Sequence, residues 1–234
     1  MTRATNARLA GFTFLFYIVV GITSMVLFGQ ATRGAEGTAA TLASLVQHAT
    51  LVRLTVVLTF LMFLCAVVLG VTLHALTREE DGDLAMIALC CRVSEGIVGA
   101  VSATRTLGLL SVATAASSPV AVDASTAQAL GALMLKQEGW TGNIAAACFA
   151  IGSTIFSYLF LRARSIPVAL AWLGLLASVL LVVTIPAQLA AFVRGPLTYF
   201  VWLPMLVFEV TFALWLLIKG VAVPQSLTMK GGKQ

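Results

Sequence analysis

The sequence is short of charged residues and of the side chains on which most catalytic and metal sites are built. Charged residues make up 10% of its 234 positions, against about 25% in ordinary soluble domains. It contains two histidines and four cysteines, and none of them stands at the spacing of a zinc site or a CxxC pair. The GxSxG and HExxH motifs are also absent. These scarcities argue against a soluble enzyme and predict a protein without catalytic motif, bound metal or cofactor.

Hydrophobic residues take the place of the missing charge. They make up 60% of the chain, which is typical of an integral membrane protein whose main partner is the lipid bilayer. The formal net charge is +5, but the basic residues are scattered at the ends of apolar runs and form no stripe with interleaved aromatic residues. The pattern therefore predicts a membrane protein with no nucleic-acid partner.

Six apolar segments are long enough to cross a bilayer, which takes about 20 residues of α-helix. We predict spans at residues 9–29, 54–76, 84–104, 144–161, 166–193 and 197–219. The predicted fold class is all-α: a polytopic membrane bundle of six transmembrane helices in one domain, residues 1–225, followed by a polar tail at 226–234. The fifth segment is long enough to tilt, or to bend at Pro186.

The basic residues predict the orientation of these spans, since cytoplasmic loops carry an excess of Lys and Arg. Of the 14 basic residues, eight fall on the side of the N-terminus and five on the other, and Arg92 lies within a span. Both termini are therefore predicted to be cytoplasmic. Residues 38–50 and 125–139, in two outer loops, carry apolar residues at helical spacing and are predicted to form loop helices.

Three charged residues lie inside spans, where an ionisable group costs at least ~2.5–3.5 kcal/mol. Arg92 and Glu95 belong to the third span and Glu209 to the sixth. At a rise of about 1.5 Å per residue, all three lie about 13–18 Å from the end of their span, close to the bilayer midplane. Arg92 and Glu95 share a helix face, which Gly99 continues as a strip of small residues suited to close helix packing. We predict one polar cluster with a formal charge of −1, balanced by a proton or a further cation.

The cluster has two interpretations. It either holds helices in register as a structural ion-pair network, which we favour, or it forms a ligand or proton site. Four further polar residues are secondary candidates. His74 is a proton carrier or an interface residue, and Gln188 satisfies backbone groups that Pro186 frees. Tyr17 and Tyr158 line an interior cavity or serve only in helix packing.

Five stretches carry a family resemblance. They are RLAGFTFLFYIVVGI (8–22), LVRLTVVLTFLMFLC (51–65), CCRVSEGIVGAV (90–101), SYLFLRARSIPVALAWLGLLASVLLV (157–182) and FEVTFALWLLIKG (208–220). Together they resemble the bacterial domain-of-unknown-function family 4386. The resemblance implies a six-helix protein of the bacterial inner membrane with no established activity, in which Arg92, Glu95, Glu209 and Lys219 are family-typical positions. Members often carry an acid near the position of Ala66, so an activity that needs this acid is not expected here.

Three functions remain open. The leading hypothesis is a non-enzymatic protein that binds or moves a small apolar or amphipathic molecule, such as a lipid, within the bundle. The first alternative is a non-catalytic accessory or signalling subunit in which the charges only fix helix register. The second is an intramembrane acid–base enzyme that uses Glu95 or Glu209, which the lack of a nucleophile or metal motif makes the least favoured. The sequence leaves the oligomeric state open.

Overall fold

The structure is a computed structural model that describes residues 1–117, 123–193, 195 and 197–222. Within these ranges the chain forms α-helices and no β-strand. The helices are α1 (Arg3–Ala31), α2 (Gly37–Gln47), α3 (Ala49–Thr77), α4 (Gly82–Ala116), α5 (Ala124–Ala163), α6 (Val168–Leu189), α7 (Leu197–Phe200) and α8 (Leu203–Ile218). Six segments are long and apolar enough to cross a membrane. The protein is therefore a multi-pass membrane protein with the all-α fold that the sequence predicts.

Two helices run well beyond the apolar segments that predicted them. α4 continues past residue 104 to Ala116, and α5 begins at Ala124 rather than at residue 144. Residues 125–139 are helical, as predicted, but they form the first part of α5 and not a separate loop helix. No proline interrupts α5, so its ladder of backbone hydrogen bonds can propagate through the polar stretch. The other loop prediction is confirmed by α2, which buries Leu42 and Leu45.

The prolines of the last two spans lie where helices begin or end. α6 contains Pro186 and ends at Leu189, earlier than the predicted residue 193. Beyond it the N–H of Phe192 donates to the carbonyl oxygen of Ala187 over 2.8 Å. Pro204 stands in the first turn of α8, where the helix requires no N–H donor. The predicted polar tail, residues 226–234, lies outside the described residues.

The chain divides into two compact units. Unit 1 comprises residues 1–16, 65–96 and 143–234, and unit 2 comprises residues 17–64 and 97–142. Four helices are divided between the units, with one part in each: α1, α3, α4 and α5. By contrast, α6 and α8 belong wholly to unit 1.

Unit 2 has an aliphatic core. Its buried members are Ala31, Leu42, Leu45, Val52, Leu109, Leu110 and Ala113. Ser44 fixes α2 by donating a hydrogen bond from its Oγ to the carbonyl oxygen of Ala31 over 2.7 Å. Gly131 lets α5 approach α2, because a Cβ there would lie 2.9 Å from a methyl group of Leu42. Small residues and leucines thus make this core without buried charge among its described side chains.

Unit 1 packs α1 and α8 backbone to backbone. A Cβ on Gly11 would lie 2.6 Å from the carbonyl oxygen of Ala213 and 2.9 Å from Cγ of Leu217. Glycine at position 11 is therefore required by the close approach of the two helices. This packing brings the buried face of α8, which carries Glu209, into the unit that also contains Arg92 and Glu95.

Ion pairs close one end of unit 1. Arg3, at the start of α1, lies 3.0 Å from Glu79, in the turn between α3 and α4. Arg162, in the last turn of α5, lies 2.9 Å from Glu80 and 3.4 Å from Asp81 in the same turn. Ion pairs thus join the acidic turn between α3 and α4 to the start of α1 and to the end of α5.

Candidate intramembrane site

Arg92 and Glu95 form a buried ion pair one turn apart on α4. Nη1 of Arg92 lies 2.9 Å from Oε2 of Glu95, and the two side chains are 1% and 7% exposed. The i,i+3 spacing predicted a shared helix face, and the structure shows that the two groups also pair. A buried pair at this distance keeps its mutual attraction, because little water screens it.

The side chain of Arg92 is held between two glycines from neighbouring helices. A Cβ on Gly70 of α3 would lie 3.2 Å from Cβ of Arg92, and one on Gly152 of α5 would lie 3.5 Å from its Cγ. The guanidinium carbon stands 5.0 Å from the ring centroid of Phe149, within the range of a cation–π interaction. Phe149 in turn stacks on Trp202, with ring centroids 6.0 Å apart. The arginine is therefore fixed by packing along its stem and by an aromatic ring at its head.

Glu209 lies on the buried stripe of α8 and is 7% exposed. Arg92 and Glu95 are the charged groups that act on it electrostatically. Its Oε1 is buried and has no hydrogen-bond partner among the described residues. The three charged residues therefore belong to unit 1 and interact electrostatically, with Glu95 as the carboxylate that lies against Arg92.

A cavity adjoins Arg92. Its walls combine aromatic and aliphatic side chains with two hydroxyl groups: Phe14, Leu73, Arg92, Ser153, Phe156, Ser157, Phe160, Met205, Phe208 and Phe212. The volume open to the centre of a water molecule is about 10 Å³, close to the ~10–15 Å³ that one water requires. In this conformation the cavity holds about one water molecule.

The aromatic wall of the cavity is built on Gly174 of α6. The ring of Phe208 lies against this glycine so closely that a Cβ would overlap it, and the same Cβ would lie 2.7 Å from Oγ of Ser157. Phe208 stacks on Phe212 with ring centroids 5.3 Å apart. Phe212 also meets Phe160 edge to face at 5.2 Å. Two helices, α5 and α8, thus contribute these rings to one apolar surface, which packs against the glycine of α6.

None of the four secondary candidates lines the cavity that adjoins Arg92. His74 is half-buried near the end of α3, and the charged group that acts on it is Arg78. Tyr158 is 42% exposed and does not line the cavity, whereas its neighbour Ser157 does. Tyr17 belongs to unit 2. Nε2 of Gln188 has no hydrogen-bond partner among the described residues, so Gln188 does not donate to the carbonyl group that Pro186 leaves without a donor.

The small-residue contact predicted at Gly99 is wrong. Gly99 was expected to let another helix approach the face of Arg92 and Glu95, but no described atom would lie within 4 Å of a Cβ there. The close contacts are made instead by Gly70, Gly152 and Gly174. The phenylalanines of the cavity wall were missed as well. Their i,i+4 spacing, as in Phe208 and Phe212, was the signal that could have indicated them.

Within the described part of the chain, no three His, Cys, Asp or Glu residues come together as a metal site. Among known proteins, the model of the family described as domain of unknown function DUF4386 matches residues 9–220. No curated protein and no solved structure matches the chain. The match covers most of the sequence and confirms the resemblance seen in its five stretches.

Proposed function

We propose that this chain, which belongs to the DUF4386 family, binds a small amphipathic molecule in the cavity of unit 1. The observation that carries the proposal is an aromatic-walled cavity with a charged group and two hydroxyls in its lining. Ligand sites are usually apolar concavities with a few polar groups that fix orientation. The rings of Phe160, Phe208 and Phe212 suit the apolar part of a ligand, and Arg92 with Ser153 suits its polar group.

The polar group of the ligand is best matched by a neutral hydrogen-bonding group. Arg92 already has Glu95 at 2.9 Å, and Glu209 is the third charge of the cluster. A further charge brought into this buried site would need its own partner. An alcohol or carbonyl group, by contrast, can bond to Arg92 or to the serine hydroxyls without changing the charge of the cluster.

Binding requires the cavity to open. Its volume of about 10 Å³ is far below the ~300–1,000 Å³ of ordinary ligand sites. Met205 is the most adaptable side chain of the wall, since a thioether chain has three rotatable bonds. Phe208 is the ring that faces Gly174. We therefore propose that ligand entry displaces Met205 and Phe208 from the positions described.

Photolabelling tests this function. The probe is an aliphatic alcohol that carries a diazirine, applied to the purified protein in neutral detergent, with 1-octanol as competitor. We expect labelling of the lining segments around Ser153 and Phe208 that 1-octanol suppresses. Ser153→Leu should reduce this labelling by filling the cavity, whereas Thr154→Leu, the adjacent half-buried position outside the lining, should leave it unchanged. Labelling confined to exposed α6 residues such as Leu176 and Val183, or equal loss in both variants, would overturn the proposal.

A specific observation also favours the accessory-subunit alternative. The glycines on both sides of Arg92 and the pairing with Glu95 are what a device for fixing helix register requires. In that case the double variant Arg92→Leu/Glu95→Leu, which removes both members of the ion pair, should fold and keep every measurable interaction of the protein. Loss of the competed photolabelling in a folded double variant would instead support the ligand site.

We also make a proposal about the membrane in which the protein lies and about the side on which its termini lie. We propose that the protein lies in the plasma membrane of a bacterium, as its family resemblance implies. We also propose that both termini are cytoplasmic, because basic residues are in excess on the side of the N-terminus. We also propose that it is not an enzyme. Fusing a reporter that is active only in the cytoplasm to either terminus tests the topology, and an inactive reporter at either end would refute it.

A further inference from the structure

Unit 2 contains an open groove that combines one arginine with two hydroxyl groups. Its lining residues are Arg53, Leu107, Leu110, Ser111, Thr114 and Ala115. Arg53 comes from the start of α3 and the other five from the second half of α4. We propose that this groove binds the headgroup phosphate of an anionic phospholipid, with Arg53 as the donor to the phosphate oxygens.

Helix length places the groove at headgroup depth. α3 has 29 residues and α4 has 35, which correspond to about 43 Å and about 52 Å at 1.5 Å per residue. The hydrocarbon core is only about 30 Å thick, and about 40–45 Å with the headgroup regions. Arg53 is the fifth residue of α3, so it stands in the part of the helix that exceeds the core. Phosphate groups of lipids are found at this depth.

The electrostatic state of Arg53 suits an anion. Arg53 is exposed, and it forms no ion pair with a described residue of the protein. Arg105, in the same unit, instead donates hydrogen bonds to the carbonyl oxygen of Gln137 and to the hydroxyl group of Thr141. A guanidinium offers a planar fork of donors that matches two phosphate oxygens. Arg53 is therefore a donor available to an anionic ligand.

The opposite wall supplies the remaining contacts. Oγ of Ser111 donates to the carbonyl oxygen of Leu107 over 3.0 Å, and Oγ1 of Thr114 donates to that of Leu110 over 2.8 Å. Each hydroxyl hydrogen can rotate to a phosphate oxygen, since the carbonyl keeps its helical donor. Leu107 and Ala115 provide apolar surface for the glycerol and the first methylene groups. The groove volume of about 660 Å³ lies within the ~300–1,000 Å³ of ordinary ligand sites.

Lipid titration by native mass spectrometry tests the proposal. Purified protein in neutral detergent is titrated with dioleoylphosphatidylglycerol or with dioleoylphosphatidylcholine. We expect tighter binding of the anionic lipid, and a loss of about fivefold in its affinity in Arg53→Gln, as for one arginine at a membrane surface. Arg33→Gln, which removes an exposed arginine of the same unit outside the groove, is the matched control and should bind as the wild type does.

Two further measurements keep the outcome decisive. Ser111→Leu fills the groove without changing charge and should also weaken phosphatidylglycerol binding, which covers the case that Arg53→Gln fails to fold. Glycerol phosphate at millimolar concentration should not displace the lipid. Equal losses in the Arg33 and Arg53 variants, unchanged affinity in Arg53→Gln or Ser111→Leu, or displacement by glycerol phosphate would overturn the assignment to a lipid headgroup.

Discussion

The two units are built largely from the same helices, yet their buried surfaces differ in chemistry. Among the described side chains, unit 2 buries two polar residues, Thr55 and Thr141, and each hydroxyl donates to a carbonyl oxygen of its own helix. Unit 1 buries Arg92, Glu95 and Glu209. A threonine in an apolar core satisfies itself locally, whereas a buried charge must have a partner brought to it by another part of the fold.

This difference underlies the two binding sites that we propose. Unit 2 keeps its arginines exposed or bonded to neutral groups, so its polar chemistry lies at the surface, as in the groove of Arg53. Unit 1 also buries three charged residues next to an aromatic cavity, so a ligand of that cavity must be small enough to enter the bundle. Our two proposals follow this difference: a lipid headgroup for unit 2 and an amphipathic ligand for unit 1.

The strongest test of the contrast compares two arginines of the same helix. Arg92→Leu in unit 1 leaves Glu95 buried without its ion-pair partner and is expected to cost about 3–5 kcal/mol of unfolding free energy. Arg105→Leu in unit 2 leaves only neutral partners, Gln137 and Thr141, and is expected to cost about 1–2 kcal/mol. Reversible unfolding in mixed SDS and neutral detergent, followed by circular dichroism, measures both values.

The double variant Arg92→Leu/Glu95→Leu is the control for this test. Removing both charges should restore most of the stability that Arg92→Leu loses, because no isolated buried charge remains between these two positions. Equal costs for the two single arginine variants would show that buried charge does not distinguish the units.

A second test compares two glycines of α1, one in each unit. Gly11→Ala should cost about 1–3 kcal/mol, because the new Cβ would lie 2.6 Å from the backbone oxygen of Ala213. Gly29→Ala should be neutral or stabilise by up to ~1 kcal/mol, since no described atom would lie within 4 Å of its Cβ. The same unfolding assay measures the pair, and a similar cost for both would mean that α1 and α8 do not pack this closely.

The sequence predicted those parts of the fold that depend on one helix at a time. Apolar run length predicted six membrane-spanning helices, and the i,i+3 spacing of Arg92 and Glu95 predicted their shared face. The true ends of α4 and α5 were missed because hydropathy marks only the apolar part of a helix. Hydrogen bonds of the helical backbone continue through polar residues such as those of 125–139.

Contacts between helices were harder to predict from the sequence. Gly99 and Gly152 look alike in an apolar run, and only the packing of α5 against α4 makes Gly152 a contact of Arg92. The pairing of Arg92 with Glu95 rather than Glu209 likewise depends on the rotamer and on neighbouring helices. Predicting the cavity wall would have required knowing which faces of α5, α6 and α8 meet, and no pattern within a single helix contains that information.

The smallest expected effect concerns the exposed charges of unit 1. Arg162 is 46% exposed and pairs with Glu80 and Asp81, so Arg162→Gln should cost only about 0.2–1 kcal/mol at low salt. Raising the ionic strength from about 0.01 M to 1 M shortens the Debye length from about 30 Å to about 3 Å. The difference between Arg162→Gln and wild type should therefore vanish in 1 M salt, whereas the deficit of Arg92→Leu should persist because that pair is shielded from solvent ions. If both deficits respond equally to salt, the buried cluster is accessible to solvent and the contrast between the inside and the outside of unit 1 is lost.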